Sequence, residues 1–239
     1  MPYRRLPNTD QARIRALTLA VEKGEDYDIH DLVISLPTLA GARNFLRKFE
    51  QAQNYYKQCF ENQSKSSKQH QPNVKVARLY VSHFIQVLNM AVQRSEIKVS
   101  YKEWYGLPLE HYNIPDLMTE AAIAEWGEKI ITGEQRRIAH GGIPIYNPTI
   151  AKVKVHYDIF MEGYLRQKNL QQITSKSLEK LAEMRPVADE IILDLWNQIE
   201  KKFENMQPNE VRLNNCRAYG VIYYYRTNEK KKLKSNGLY

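Results

Sequence analysis

Apolar positions spaced three and four residues apart recur at two places in the chain, within a longer shared pattern. Residues 36–60 are repeated by 147–171 at a constant offset of 111 positions, without a gap. "LPTLA" at 36–40 returns as "NPTIA" at 147–151. This spacing places the apolar side chains on one helix face, and its recurrence predicts a duplicated helical unit. The matching seams are Leu39, Ala42, Leu46, Phe49 and Gln53 in the first copy, and Ile150, Val153, Tyr157, Phe160 and Tyr164 in the second.

The same offset relates a second pair of seams further along each copy. Their apolar stripes are Val76, Tyr80, Phe84 and Leu88 in 76–95, and Val187, Ile191, Leu195 and Ile199 in 187–204. The intervening segment 63–75 is polar and contains a proline, which predicts an exposed turn, whereas 174–186 has enough apolar residues to be partly helical. Each copy therefore reads as a helical hairpin. Leu79, His83 and Val87 widen the apolar arc of 76–95, so this helix should be the more central one.

A shorter helix precedes each hairpin. Asn8 or Thr9 can cap the first of these helices and Thr119 the second, because their side-chain oxygens accept hydrogen bonds from the free N–H groups of the first turn. Gly24 and Gly133 are placed to end them. Each repeat unit is thus predicted to contain one short helix followed by two long ones.

The periodicity changes after each hairpin. "IKVSY" at 97–101 and "RAYGVIYYY" at 217–225 favour strands, and we expect a small two-stranded ribbon joining them. The predicted fold is therefore an all-α bundle of two tandem three-helix units, 1–107 and 108–225, with a minor β element. Two separate domains are the alternative. Residues 226–239 form a basic tail with nothing to bury, which predicts disorder.

Composition favours a soluble protein. The chain has 239 residues, 43% of them hydrophobic, and no apolar run approaches the roughly 20 residues of a bilayer span. The basic start "MPYRRLPNTD" lacks the apolar core of a secretory signal. Two widely separated cysteines fit a reducing compartment. We therefore expect a cytoplasmic location and no membrane partner.

The net charge of +8 raises the possibility of nucleic-acid binding, but the charge is concentrated at the chain ends. Residues 1–23 carry +3 and residues 226–239 carry +4, which leaves about +1 for the remainder. Contact with phosphates would therefore be weak and non-specific. The candidate contact residues are Arg4, Arg5, Lys230, Lys231 and Lys232.

Motifs of enzymes and metal sites are missing from the sequence: it has no glycine-rich phosphate loop, GxSxG elbow, HExxH pair or metal-ligand spacing. No catalytic residue, metal ligand or cofactor is assigned. The acidic stretch 25–31 lacks the glycine and distal glutamate of a calcium loop and reads as solvated. The stretch "GEQRRIAHGG" at 133–142 combines charged groups with flexible glycines. Its Glu134, Arg136, Arg137 and His140 could bind an anion, although a charged linker would look similar.

Three functional hypotheses follow. The leading one is a non-enzymatic helical interaction or scaffold module, with a protein partner or self-association, because a duplicated helical frame carries no catalytic motif. The second is a nucleic-acid-associated protein that uses its basic termini. The third is a small-molecule or metal-binding protein that uses the loop 133–147.

Overall fold

The computed structural model describes residues 3–26 and 32–225. It confirms an all-α fold with one minor two-stranded antiparallel sheet. In chain order the elements are β1 (Tyr3–Arg4), α1 (Asp10–Glu25), α2 (Leu36–Gln93), a 3-10 helix (Val99–Tyr105), α3 (Glu120–Ala139), α4 (Ile150–Lys202), α5 (Asn209–Ala218) and β2 (Tyr223–Tyr224).

The two short helices begin as the sequence predicts but end differently. Thr9 accepts a hydrogen bond from the Ala12 amide, and Thr119 accepts one from the Ala122 amide. Gly133, however, lies inside α3, which continues to Ala139. A β-carbon at Gly133 would stand 2.6 Å from the Tyr105 ring. This glycine is therefore required for close packing rather than for ending the helix.

The turn predicted at 63–75 is absent, because α2 runs unbroken through it. Segment 174–186, predicted to be partly helical, lies wholly within α4. The seam of α2 continues through the polar segment at the same spacing, partly with polar residues. Ser66, His70 and Val74 are buried there, and Ala77 follows them. In α4, the buried residues Gln167, Thr174, Ser177 and Leu181 continue the seam in the same way. The prediction failed because it took polarity as a sign of exposure, whereas the helical spacing persisted.

The chain forms two compact units, and each combines segments from both halves of the sequence. Unit 1 contains Met1–Cys59 and Thr174–Tyr239, and unit 2 contains Phe60–Ile173. These boundaries differ from the predicted 1–107 and 108–225. Each unit holds one short helix, the first part of one long helix and the last part of the other. That the two copies arose by duplication stays a prediction.

Unit 1 packs α1 beside the last part of α4. The core includes Leu17, Ala20, Leu195 and Trp196, all fully buried. Two bidentate ion pairs flank it: Arg13 donates to Asp189 at 2.8 and 2.9 Å, and Arg185 donates to Asp10 at the same distances.

Unit 2 packs α3 and the 3-10 helix against the last part of α2 and the first part of α4. Phe84, Ile85, Leu88, Tyr105, Ile123 and Phe160 are fully buried in its core. The wider apolar arc predicted for α2 is wrong, because His83 is exposed and Leu79 is 62% exposed. The irregular segment before α3 is held by donors to its carbonyl groups. Arg78 binds the Leu117 and Met118 oxygens, Asn89 binds that of Tyr112, and Lys102 binds that of His111.

The minor sheet lies only partly where the sequence predicts it. Tyr223 and Tyr224 form β2, within 217–225, but its antiparallel partner is β1 at Tyr3–Arg4. The predicted strand 97–101 instead leads into the 3-10 helix. The predicted disordered tail 226–239 lies outside the described residues.

We expect Phe84→Ala to lower the free energy of unfolding by about 3–5 kcal/mol, because the cavity adds to the lost transfer free energy of a fully buried ring. Leu79→Ala, on the exposed face of the same helix, should change it by less than about 0.5 kcal/mol. Denaturant titration of both variants checks this. An equal loss of unfolding free energy in the two variants would contradict the burial of the α2 face that carries Phe84.

Candidate functional site

A cavity of about 700 Å³ lies in unit 2, where α3 ends and the chain turns toward α4. We call it the unit 2 cavity. Its apolar wall comes from Val87, Ala91, Ile97, Ile143, Pro144 and Ile145, and its polar or aromatic lining from Arg94, Glu96, Lys98, Tyr101, Arg137, His140, Tyr146 and Asn147, with Gly141 and Gly142 completing it.

The four residues singled out in the sequence lie at or beside this cavity, but not on a loop. Glu134, Arg136 and Arg137 belong to the last turns of α3, and His140 caps that helix. Arg137 and His140 line the cavity. Glu134 is fully buried behind it, and Arg136 stands at the edge, over the ring of Trp104.

Arg137 and Glu134 form a buried, doubly hydrogen-bonded ion pair. Arg137 Nη2 donates to Glu134 Oε1 at 2.8 Å, and Nε donates to Oε2 at 3.0 Å. The Tyr105 hydroxyl donates to the same Oε2 and accepts from Arg137 Nε. Because each charge is paired and further hydrogen-bonded, the cost of burying it is offset.

The pair also fixes the loop that follows α3. Arg137 Nη2 donates to the Ile143 carbonyl at 2.8 Å, and the Ile145 amide donates to Glu134 Oε1 at 3.1 Å. The loop begins at Gly141, which has a φ of 83°. The Gly142 amide bonds the Arg137 carbonyl and the Gly141 amide bonds that of Ile138, a pairing that closes helix ends. The loop that forms this wall of the cavity is thus held at Gly141 and Gly142 by the helix end, and at Ile143 and Ile145 by the ion pair.

Burial and charge perturb the groups of this network. Burial, with the hydrogen bond to Glu134, raises the pKa of Tyr105 far above its ordinary value. Burial alone would lower the pKa of Arg137, but its hydrogen bonds and the nearby Glu134 charge outweigh this and raise it. Near neutral pH Tyr105 is therefore a neutral donor and Arg137 a fixed cation.

Aromatic rings form one rim of the cavity. Tyr101 stacks on Trp104 with centroids 4.4 Å apart, and Trp104 lies 4.9 Å from the His140 ring. Arg136 covers Trp104 from 4.9 Å. The rings thus pack on one another in series, and Tyr101 and His140 at the two ends of the series line the cavity.

The loop across the cavity differs from its repeat equivalent in unit 1. There, the Ser35 amide donates to Gln198 at 2.8 Å, and Thr38 contacts both Gln198 and Asp194. In unit 2 the offset of 111 places Val87 at the position of Gln198 and His83 at that of Asp194. Valine cannot make this latch. Ile143 and Tyr146 of the unit 2 loop are 75% and 77% exposed.

Sequence reasoning missed most of the residues that build the site. Trp104 and Tyr105 follow the predicted strand 97–101, and Lys98 lies within it. Arg94 and Glu96 lie between the end of α2 and that segment. No signal in the sequence connects Trp104 or Tyr105 with Glu134.

The structure describes two of the five proposed nucleic-acid contact residues, Arg4 and Arg5. Arg4 lines a separate cavity of about 540 Å³ in unit 1, where it bonds Asn197 at 2.7 Å and pairs with Glu200 at 3.2 Å. The Arg5 amide donates to the Ile222 carbonyl, beside the small sheet. Lys230, Lys231 and Lys232 lie outside the described residues, as do Asp28, His30 and Asp31 of the acidic stretch.

We expect Tyr105→Phe to cost about 1–3 kcal/mol at neutral pH, because Glu134 and Arg137 lose a buried partner. It should also change the alkaline pH dependence. The pKa of Tyr105 is higher in the folded protein than in the unfolded chain, where it is about 10. This difference adds in full to the free energy of unfolding below pH 10, and the contribution is lost progressively as the pH rises above 10. Unfolding free energies between pH 8 and 11 check this. The variant should lose less stability than wild type above pH 10, and parallel curves would contradict it.

No helix in the described ranges is both long and apolar enough to cross a membrane. Within the same ranges, no group of three or more histidine, cysteine, aspartate or glutamate side chains could hold a metal ion. Comparison of the chain with protein-family models, with curated proteins and with solved structures finds no match.

Proposed function

We propose that this protein is a helical ligand-binding module whose site is the unit 2 cavity. The observation that carries the proposal is a cavity of about 700 Å³ whose loop wall is anchored by a buried ion pair. Ligand pockets commonly have volumes of about 300–1,000 Å³. They combine a mainly apolar lining with a few fixed polar groups, and this cavity has both.

The way the cavity is held supports a binding role. Bound ligands lose less affinity to ordering costs when the site is already rigid. Here Arg137 and Glu134 hold the backbone at Ile143 and Ile145 from within a helix, so the loop does not have to be ordered by the ligand.

The contrast between the two units also supports it. In unit 1 a polar latch ties the equivalent loop to α4 through Gln198. In unit 2 the matching position is Val87, which lines the cavity instead. A latch replaced by an apolar cavity wall is the change expected if one copy acquired a ligand.

A cavity-filling substitution tests the proposal. N-phenyl-1-naphthylamine, an uncharged probe whose fluorescence rises in apolar surroundings, should bind the wild-type protein at one site. Val87→Trp should weaken binding at least tenfold, because the indole occupies the cavity from its half-buried wall. Leu79→Trp is the matched control. It adds the same side chain two turns earlier on α2, at an exposed position that does not line the cavity, and should leave affinity within twofold.

Two results would overturn the proposal. One is an absence of probe binding to a wild-type protein shown to be folded by circular dichroism. The other is equal binding by Val87→Trp and wild type, which would place the probe elsewhere.

The scaffold and nucleic-acid hypotheses remain proposals. A ligand-binding role is compatible with a scaffold, since the helical frame can present other surfaces to a protein partner. The nucleic-acid hypothesis has less support from the described residues, because Arg4 is already paired with Glu200 and Asn197. We therefore rank ligand binding first.

A further inference from the structure

Arg137 offers the unit 2 cavity a donor that the protein itself does not use. Its Nε and Nη2 atoms are engaged by Glu134, Tyr105 and the Ile143 carbonyl. Within the described part of the chain, Nη1 has no hydrogen-bond acceptor, although the residue is only 3% exposed. Nη1 lies beside Gly142, where a β-carbon would stand 2.8 Å from it. Both residues line the cavity.

Such a donor is suited to a fixed negative charge. The guanidinium plane is locked by four hydrogen bonds, so the Nη1–H groups point in one direction without a ligand. A hydrogen bond from a charged donor is stronger than a neutral one, and little side-chain freedom remains to be lost on binding.

The charges around the cavity favour an anion of low charge. In and directly beside the lining, Arg94, Lys98, Arg136 and Arg137 are positive, whereas Glu96 and Glu134 are negative. Arg94 is paired with Glu96 and Arg137 with Glu134, so the excess is positive and favours an anion. The C-terminal end of α3, which lies beside the cavity, carries partial negative charge and disfavours a more highly charged anion.

The remaining lining favours an apolar or aromatic body. Val87, Ala91 and Ile97 form the wall on the α2 side, and the aromatic residues Tyr101 and His140 line the rim. A small inorganic anion would leave this apolar surface without contact, and a cation would face the Arg137 charge.

We propose that the unit 2 cavity binds an amphipathic organic anion with one negative charge, carboxylate or sulfonate in chemistry, whose charged group accepts from Arg137 Nη1. This inference rests on the proposed ligand-binding function and adds the class of ligand. Arg137 is the residue that specifies charge, and the apolar wall provides the bulk of the contact.

A pair of probes that differ only in charge separates the two levels of the proposal. 8-Anilinonaphthalene-1-sulfonate has the rings of N-phenyl-1-naphthylamine with one added sulfonate. The wild-type protein should bind the sulfonate about tenfold more tightly than the uncharged probe, since a charge-assisted hydrogen bond is formed. Val87→Trp should weaken both.

The double substitution Glu134→Gln with Arg137→Met isolates the donor. It removes one positive and one negative charge, so the net charge around the cavity stays the same, and uncharged side chains often replace a buried ion pair without loss of the fold. The affinity ratio of the two probes should fall from about ten to about one. Lys98→Met, at an exposed position, changes the net charge instead and should lower the ratio by no more than about threefold.

The outcomes are distinguishable. If both probes bind wild type equally and Val87→Trp blocks both, ligand binding stands and the anion inference is wrong. If neither probe binds, the proposed function fails as well. A double variant that keeps the tenfold ratio would remove Arg137 as its source. The wild-type ratio is measured without any substitution, so the inference stays testable even if the double variant does not fold.

Discussion

The buried ion pair between Glu134 and Arg137 is the interaction on which the organisation of unit 2 depends. Two opposite charges three residues apart on α3 are taken out of water, which is tolerated only when both are paired and their other atoms are hydrogen-bonded. The partners come from two other segments: the Tyr105 hydroxyl at the end of the 3-10 helix, and the backbone at Ile143 and Ile145. Satisfying one pair thus fixes three parts of the chain.

Close packing of those parts explains the glycines around the pair. Gly133 lies where a β-carbon would collide with the Tyr105 ring and with the Trp104 carbonyl at 2.7 Å. Gly142 lies equally close to Arg137. The sequence predicts Gly133 as a helix end and Gly142 as a flexible position. In the structure they are points of contact, and they allow Tyr105 and the loop to reach a charge pair inside the unit.

Much of the helical framework was predictable because it depends on local chemistry. Thr9 and Thr119 cap helices through their own hydroxyls, and the apolar seams follow the helical period, so neither needs knowledge of distant residues. Glu134, Arg136, Arg137 and His140 could be selected for similar reasons: charge and glycine occur together in one stretch. Their arrangement could not be predicted, because Tyr105 reaches Glu134 from 29 residues away.

The failed predictions of a strand at 97–101 and of a turn at 63–75 have different physical causes. The segment 97–101 has the alternating polarity of a strand, but the segment predicted to pair with it pairs elsewhere. Tyr223–Tyr224 forms its two-residue antiparallel ladder with Tyr3–Arg4. Alternation by itself does not supply a partner strand, and a strand without one is unstable. The turn predicted at 63–75 failed for the opposite reason. Polar residues there occupy buried seam positions, so composition and periodicity gave conflicting signals and periodicity prevailed.

A buried histidine in the seam of unit 2 fixes how α2 and α4 are aligned along their lengths. His70 is buried and stacks on Phe160 with ring centroids 5.5 Å apart. A β-carbon at Gly163 would stand 2.1 Å from His70 Nδ1, so only glycine leaves room for the ring at that level. One turn away in either direction along α4 the residue is Ile159 or Gln167. A slip of one turn would place either side chain where the imidazole lies, a clash that a seam of interchangeable leucines would not produce. A polar residue in the seam therefore selects one alignment of α2 and α4 within unit 2, and with it the position of Val87 and Ala91 in the cavity wall.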